Sequence, residues 1–168
     1  MNHNFIVTLG IHAPNKQEHW KYNEACLIEI DWKSGRVVRE LTYVSPESQR
    51  AQQGHMTFTH ADRHLHQLFV PTATEILEIN LNDWSISNVL TNRHFNDLHH
   101  VLRVDTEFFV CNTGLNAVQR VSSDGHVLQT WTTSNKPTWD EYDANKDYRP
   151  ISTKPHAIHP NYLFLFRE

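Results

Sequence analysis

Short runs of alternating apolar and polar residues follow one another along most of the chain, with turn residues between them. Within residues 56–132 two successive segments share one order: a first run, an apolar second run, a Thr/Asn/Gly turn and two further alternating runs. Alternation with a period of two predicts β-strands, and Asx-Gly turns between such runs predict hairpins. The predicted strands lie in 56–60, 67–79 (two strands) and 84–90, and again in 98–104, 107–121 (two strands) and 126–131.

Parts of the same unit recur at both ends of the chain. Runs 5–10, 25–30 and 36–41 match its second to fourth strands, and runs 155–159 and 162–166 match its first and second. The repeat of about 40 to 49 residues is typical of four-stranded propeller blades. We therefore predict an all-β fold, a single β-propeller domain over residues 1–168 with about three to four four-stranded antiparallel blades. A β-sandwich with coincidental similarity is the alternative.

The position of the repeats also predicts assembly. The chain begins at a second strand and stops after a second strand, so an apolar, aromatic run at 162–166 would lie at a sheet edge. Unpaired edge strands recruit other chains, and two-fold dimers are the commonest oligomers. We expect a half-ring that is completed by a homodimer or by a partner half-propeller.

Composition narrows the classes of function. Hydrophobic residues make up 39% of the chain and charged residues 20%, and the net charge is −4. Because there is no cluster of Lys and Arg, nucleic acid is not expected as a partner. No apolar run approaches the roughly 18 residues of a membrane span, and the N-terminus lacks a signal peptide, so a cytoplasmic protein without a membrane partner is predicted. Cys26 and Cys111 lie in apolar runs and are interpreted as small core residues.

Three stretches resemble a known kind of protein. These are Asn-Asp-Leu-His-His-Val at 96–101, Phe-Val-Cys-Asn-Thr-Gly-Leu-Asn-Ala-Val at 109–118 and Lys-Pro-His-Ala-Ile-His-Pro-Asn at 154–161. They are similar to the bacterial six- or seven-bladed propellers of the NHL and gluconolactonase-like type, and the similarity covers most of residues 55–168. The resemblance implies blades from about half of a full ring. It implies no single activity, because one propeller scaffold supports many chemistries.

Histidine is unusually frequent, with 13 residues. When Val70 is aligned with Val110, His60 lies opposite His100, and His156 precedes the last apolar run in a similar place. First strands line the channel of a propeller, so these imidazoles are predicted to converge on a transition metal ion, Fe, Mn, Ni or Zn. The alternative is that they cap inner strands through backbone or water. His55, His99 and His159 form a second set of candidates.

Asp97 and His99 are the predicted catalytic residues. A carboxylate beside an imidazole can orient it or act as a general base, although Asp97 could equally cap the turn that enters the strand.

Residues 133–153 form an insertion between blades that is longer than an ordinary hairpin loop. Its aromatic side chains, Trp139, Tyr142 and Tyr148, are the predicted substrate-binding residues, and its carboxylates suit a cationic or polar organic ligand. The alternative is that these rings pack on a neighbouring blade.

Two functions follow from these patterns. The first is a metal- or histidine-dependent enzyme, of the lyase, hydrolase or oxygenase type, that acts on a small organic molecule in the channel. The second is a non-catalytic propeller that binds a ligand or protein on its loop face. No nucleophile elbow, phosphate loop, dinucleotide fingerprint or His-Glu-x-x-His motif is present.

Overall fold

The alternating runs fold into three antiparallel sheets. The structure, a computed structural model, describes residues 4–12, 22–46, 56–132, 142–156 and 158–166. Within these residues the sheets follow one another along the chain, and each is a meander of sequential hairpins. Successive four-stranded meanders packed face to face are propeller blades, so the predicted all-β propeller fold is confirmed.

Sheet 1 has three strands and sheets 2 and 3 have four each. Sheet 1 consists of β1 (Asn4–Ile11), β2 (Glu24–Asp31) and β3 (Val37–Tyr43). Sheet 2 consists of β4 (Asp62–His64), β5 (Gln67–Pro71), β6 (Glu75–Asn80) and β7 (Ile86–Thr91). Sheet 3 consists of β8 (Leu98–Val104), β9 (Glu107–Asn112), β10 (Ala117–Val121) and β11 (Val127–Thr132), with a 3₁₀ turn at Thr113–Leu115 between β9 and β10.

Two apolar cores join the three sheets. The first lies between sheets 1 and 2 and includes Leu27, Val70 and Leu77, all fully buried. The second lies between sheets 2 and 3 and includes Phe69 and Phe108, whose ring centroids are 5.1 Å apart. Sheet 2 is therefore covered on both faces, as expected of a blade between two neighbours.

The first strand of sheet 2 differs from the predicted 56–60. The observed strand is Asp62–His64. Residues 56–60 instead form backbone hydrogen bonds with several different elements. The amide of Phe58 donates to the Leu9 carbonyl of β1, and that of His60 donates to the His99 carbonyl of β8 at 3.0 Å. This stretch makes no ladder because its hydrogen bonds are divided among different partners.

Residues 158–166 also depart from the predicted strands. They form no strand, and two of their amides bond to side chains: Ile158 to Asn116 Oδ1 at 3.1 Å and Leu163 to His100 Nδ1 at 2.9 Å. The described residues of the predicted runs 155–159 and 162–166 share no ladder of backbone hydrogen bonds with any described strand. A strand needs such a partner for its backbone groups.

The described residues contain no helix with the length and apolar character needed to cross a membrane.

Candidate functional site

The histidine-rich motif lies at the start of β8, which is an edge strand of sheet 3. Asp97 precedes the strand with a positive φ of 49°, a conformation that Asp and Asn adopt more readily than most residues. The amide of Leu98 then donates to the Ala73 carbonyl of sheet 2 at 3.1 Å. The register against β9 shifts between Leu98 and His100, which is a β-bulge. Bulges redirect side chains, and here the shift separates the environments of His99 and His100.

Asn96 fixes the C-terminal segment against this strand. Its side chain is buried, and Nδ2 donates to the carbonyls of Tyr148 at 2.5 Å and Ile151 at 2.8 Å. Because both of these partners are acceptors, the amide orientation is determined and Oδ1 must face Thr153. The Thr153 hydroxyl donates to that oxygen at 3.0 Å.

The same network assigns the proton on His156. The Thr153 hydroxyl uses its only proton toward Asn96, and its oxygen lies 3.2 Å from His156 Nε2. The oxygen is therefore the acceptor, and Nε2 of the neutral His156 imidazole carries the proton. The His156 side chain is only 3% exposed.

Asp97 lies at the centre of the site. Oδ1 is 3.7 Å from His99 Nε2, and Oδ2 is 3.7 Å from His156 Nε2 and 3.6 Å from Lys154 Nζ. Burial alone would raise the pKa of Asp97, but His99, Lys154 and His156 outweigh it and lower the pKa to about 2. Asp97 is therefore a carboxylate across the whole physiological range, and its buried Oδ2 makes no short hydrogen bond.

His159 completes this cluster. Its ring centroid lies 4.6 Å from that of His99 and 5.3 Å from that of His156. Burial lowers the pKa of His156, which Asp97 partly offsets, and His159 and Lys154 lower it further. Burial and the neighbouring His99 likewise lower the pKa of His159. These two imidazoles are therefore held in the neutral form, beside a carboxylate. We call Asp97, His99, Lys154, His156 and His159 the Asp97 cluster.

The three histidines predicted as metal ligands divide between two places. His60 and His100 are neighbours, with ring centroids 6.2 Å apart, and Tyr162 stacks on His100 at 4.1 Å. His156 lies in the Asp97 cluster instead. Across the described parts of the chain, no group of three or more His, Cys, Asp or Glu side chains is arranged to hold a metal ion.

The predicted substrate-binding rings have different environments. Tyr148 is fully buried and packs with Leu115 and Ala117, so its ring is a core group of sheet 3. Tyr142 is 38% exposed and stacks on Tyr148 at 5.5 Å. Trp139 lies outside the described residues. As ligand contacts all three stay predictions. The described part of the insertion, 142–153, contains no strand.

Sequence reasoning missed Asn96, Thr153 and Lys154 as members of the site. Asn96 and Lys154 stand in two of the motifs quoted above, so the available signal was that Asn96 directly precedes Asp97 and that Lys154 lies two positions before His156. Nothing in the sequence shows that these two motifs meet, because 57 residues separate Asn96 from Thr153.

Solved structures with a similar fold share little sequence with this chain. Sqt1 of Saccharomyces cerevisiae matches with a TM-score of 0.53 and 11% identity, over 69% of this chain and 31% of that one. A protein of unknown function from Bacteroides caccae matches with a TM-score of 0.48 and 13% identity, over 68% of this chain and 40% of that one. The Pan2 WD40 domain of Neurospora crassa matches with a TM-score of 0.47 and 8% identity, over 78% of this chain and 45% of that one.

The chain thus spans less than half the length of these three structures. No protein-family model matches the chain. No curated protein matches it either. At these identities the likeness concerns the fold alone: three sheets arranged as propeller blades.

Proposed function

We propose that the chain supplies the reactive centre of a histidine-dependent enzyme that acts on a small organic molecule, with His99 as general base and Asp97 as its carboxylate partner. The observation that carries the proposal is the Asp97 carboxylate, which faces two imidazoles and an ammonium group within 3.7 Å. A carboxylate beside an imidazole stabilises the imidazolium that forms when the ring accepts a proton.

The members of the cluster have distinct roles in this proposal. The His99 side chain is 22% exposed and can reach a substrate, whereas the His156 side chain is 3% exposed and positions Asp97. Lys154 is 43% exposed and can bind a negative group of a substrate or intermediate. Its ammonium group also occupies the place of a counter-ion to Asp97, which favours proton transfer over a bound metal ion.

The resemblance of the motifs to gluconolactonase-like propellers suggests the first compounds to assay. A panel of lactones and esters, beginning with glucono-1,5-lactone, would be assayed with the purified chain. We expect His99→Ala and Asp97→Asn to lower the rate by about a hundredfold or more, the usual contribution of a general base. His64→Ala is the matched control, since His64 is an exposed histidine of β4. Turnover that survives His99→Ala unchanged would refute the assignment.

Metal binding is a separate prediction with its own measurement. Elemental analysis of the purified chain, before and after incubation with Fe, Mn, Ni or Zn salts, reports the metal content. Stoichiometric metal that is lost when His60 and His100 are both replaced by Ala would support the predicted ligands. Metal that is lost in His99→Ala and His156→Ala together would instead indicate an ion in the Asp97 cluster.

A second candidate function is non-catalytic ligand binding on the loop face. A groove of about 440 Å³ lies between the β7–β8 loop, β11 and the insertion, and its lining includes Arg93, His94 and Tyr142. An arginine with an aromatic ring suits an anionic or planar polar ligand. If this groove is the main site, Tyr142→Phe and Arg93→Ala should weaken ligand binding while His99→Ala leaves it unchanged.

A further inference from the structure

The two internal contacts between sheets share one design. In the contact of sheets 1 and 2, the Arg39 guanidinium lies over the ring of Trp84, 5.3 Å from its centroid. In the contact of sheets 2 and 3, the Arg103 guanidinium lies over Phe69 at 4.9 Å. Each contact therefore joins two apolar sheet faces and sets an arginine against an aromatic ring, an attraction that strengthens as the pair is desolvated.

Sheet 1 presents a second apolar face on the side away from sheet 2. The strand register places Phe5 opposite Ile30 and Val7 opposite Ile28 on this face, which we call face A. Phe5 is 52% exposed and Val7 37%. Glu40 lies opposite Ile28 on β3, so face A carries a carboxylate among its apolar side chains.

Sheet 3 presents a similar face on the side away from sheet 2, which we call face B. Trp131 stacks on Phe109 with centroids 5.9 Å apart, and both line a groove of about 490 Å³. Arg120 also lines this groove, where it bonds to Glu107 at 2.6 and 2.9 Å. Trp131 is 39% exposed although it is the largest side chain of the face.

The C-terminal segment borders face B. Tyr162 stacks on His100, which lies on the same side of sheet 3 because it pairs with Cys111. Phe164 and Phe166 beyond it are each 75% exposed. Face B therefore has exposed aromatic side chains of its own, and the segment that borders it adds Phe164 and Phe166, whereas an ordinary monomer exposes large apolar residues singly.

We propose that face A of one copy packs on face B of a second copy, and reciprocally, so that two copies form a closed two-fold ring. Such a contact repeats the internal design, because Arg120 of face B meets the exposed rings of Phe5 and Trp32, which are 5.7 Å apart beside face A. The charges select this pairing. Contact of face A with itself would oppose two Glu40 carboxylates, whereas face B presents the Arg120–Glu107 ion pair, in which the two charges offset each other.

The proposed ring also concerns the segment that carries two imidazoles of the Asp97 cluster. The C-terminal segment with His156 and His159 continues into Tyr162, at the border of face B. A second copy on face B would therefore pack beside this segment.

Analytical ultracentrifugation of the purified chain tests the proposal. The expected mass is twice the 19.7 kDa of one chain. Val7→Asp on face A and Trp131→Asp on face B should each raise the dissociation constant at least about tenfold, since each buries a charge at both contacts of the ring. Leu65→Asp is the control, because Leu65 is 74% exposed in the β4–β5 turn and should leave the dimer intact.

Mixing the two variants identifies the geometry. Val7→Asp protein keeps face B and Trp131→Asp protein keeps face A, so an equimolar mixture can form one intact contact. It should be dimeric at a concentration at which each variant alone is largely monomeric. Circular dichroism confirms that each variant is folded, and Phe5→Glu replaces Val7→Asp if that variant is not. A wild-type monomer, or a mixture that stays monomeric, would overturn the proposal. A dimer lost in only one of the two variants would do so as well, since it would indicate contact of a face with itself.

Discussion

At the scale of single residues, Trp84 shows a local preference overruled by packing. It has a φ of 61° and occupies the same place in the β6–β7 turn as Gly35, with a φ of 67°, in the β2–β3 turn. In both turns this amide donates to the carbonyl four residues earlier. Left-handed backbone is unfavourable for a tryptophan, but the side chain is 5% exposed and joins the core between sheets 1 and 2.

Two substitutions at Trp84 separate these opposing effects. Trp84→Ala should lower the free energy of unfolding by about 3 to 5 kcal/mol, because it removes a buried ring. Trp84→Gly should be about 1 kcal/mol more stable than Trp84→Ala, since glycine adopts the positive φ without strain. Urea unfolding of both variants measures the difference. An alanine variant as stable as the glycine variant would contradict the argument about the turn.

His100 makes stability depend on pH. Burial and the neighbouring His60 lower its pKa from the ordinary 6.5 to about 4, and its Nδ1 accepts the Leu163 amide. As the pH falls from 6.5 to 4 the unfolded chain takes up this proton and the folded chain does not, so stability falls over that window. The lowered pKa of His100 corresponds to a loss of about 3 kcal/mol in the free energy of unfolding across this window.

His100→Asn tests this dependence, because the asparagine Oδ1 can accept the same amide without titrating. The free energy of unfolding should fall less steeply between pH 6.5 and 4 in the variant than in the wild type. Part of the slope should persist, since burial also lowers the pKa of His156 and His159. Equal slopes in the two proteins would show that His100 is not the group concerned.

At the scale of elements, the 3₁₀ turn of sheet 3 packs closely against Asn96, the residue that binds the segment carrying His156. A Cβ at Gly114 would lie 1.9 Å from Asn96 Oδ1 and 2.7 Å from the Asn96 carbonyl oxygen. Asn96 holds residues Tyr148, Ile151 and Thr153 in place, so the glycine is needed for close approach rather than for backbone freedom.

Gly114→Ala should therefore detach the segment. We expect a loss of about 1 to 3 kcal/mol in the free energy of unfolding, the usual effect of overpacking, together with faster proteolysis within 142–153. Gly35→Ala is the matched control: nothing lies within 4 Å of its added Cβ, but its φ of +67° makes it strained. The free energy of unfolding of this control should fall by about 1 kcal/mol, and cleavage within 142–153 should not change. Cleavage that increases equally in both variants would argue against a specific role for Asn96.

At the scale of the whole molecule, the main feature is that some sheet faces are buried between two sheets while others are exposed. Sheet 2 is covered on both faces, whereas sheets 1 and 3 each turn an apolar face with exposed aromatic or branched side chains away from it. A blade is stabilised by packing against two neighbours, and among the described sheets sheet 2 has two while sheets 1 and 3 have one each. The proposed ring gives sheets 1 and 3 a second neighbour from another copy, and the proposed enzyme would then have two Asp97 clusters.

The sequence by itself determined the architecture and most strands of the three sheets. Alternation with a period of two is a local property, so it predicted β8 at its observed bounds, Leu98–Val104, and the three strands of sheet 1 to within a few residues. The repeat of these units predicted the blades. The pairing of Asp97 with His99 was also accessible, because the two residues are two positions apart in one motif.

Tertiary structure alone decided which histidines meet. Aligning the repeats placed His60, His100 and His156 at matching positions, but the bulge at the start of β8 and the path of the C-terminal segment set His156 beside Asp97 and leave His60 with His100. Likewise, residues 56–60 have a strand-like pattern but divide their hydrogen bonds among several elements. A pattern specifies which face of a strand is apolar, whereas contacts between distant segments depend on backbone partners that no local pattern encodes.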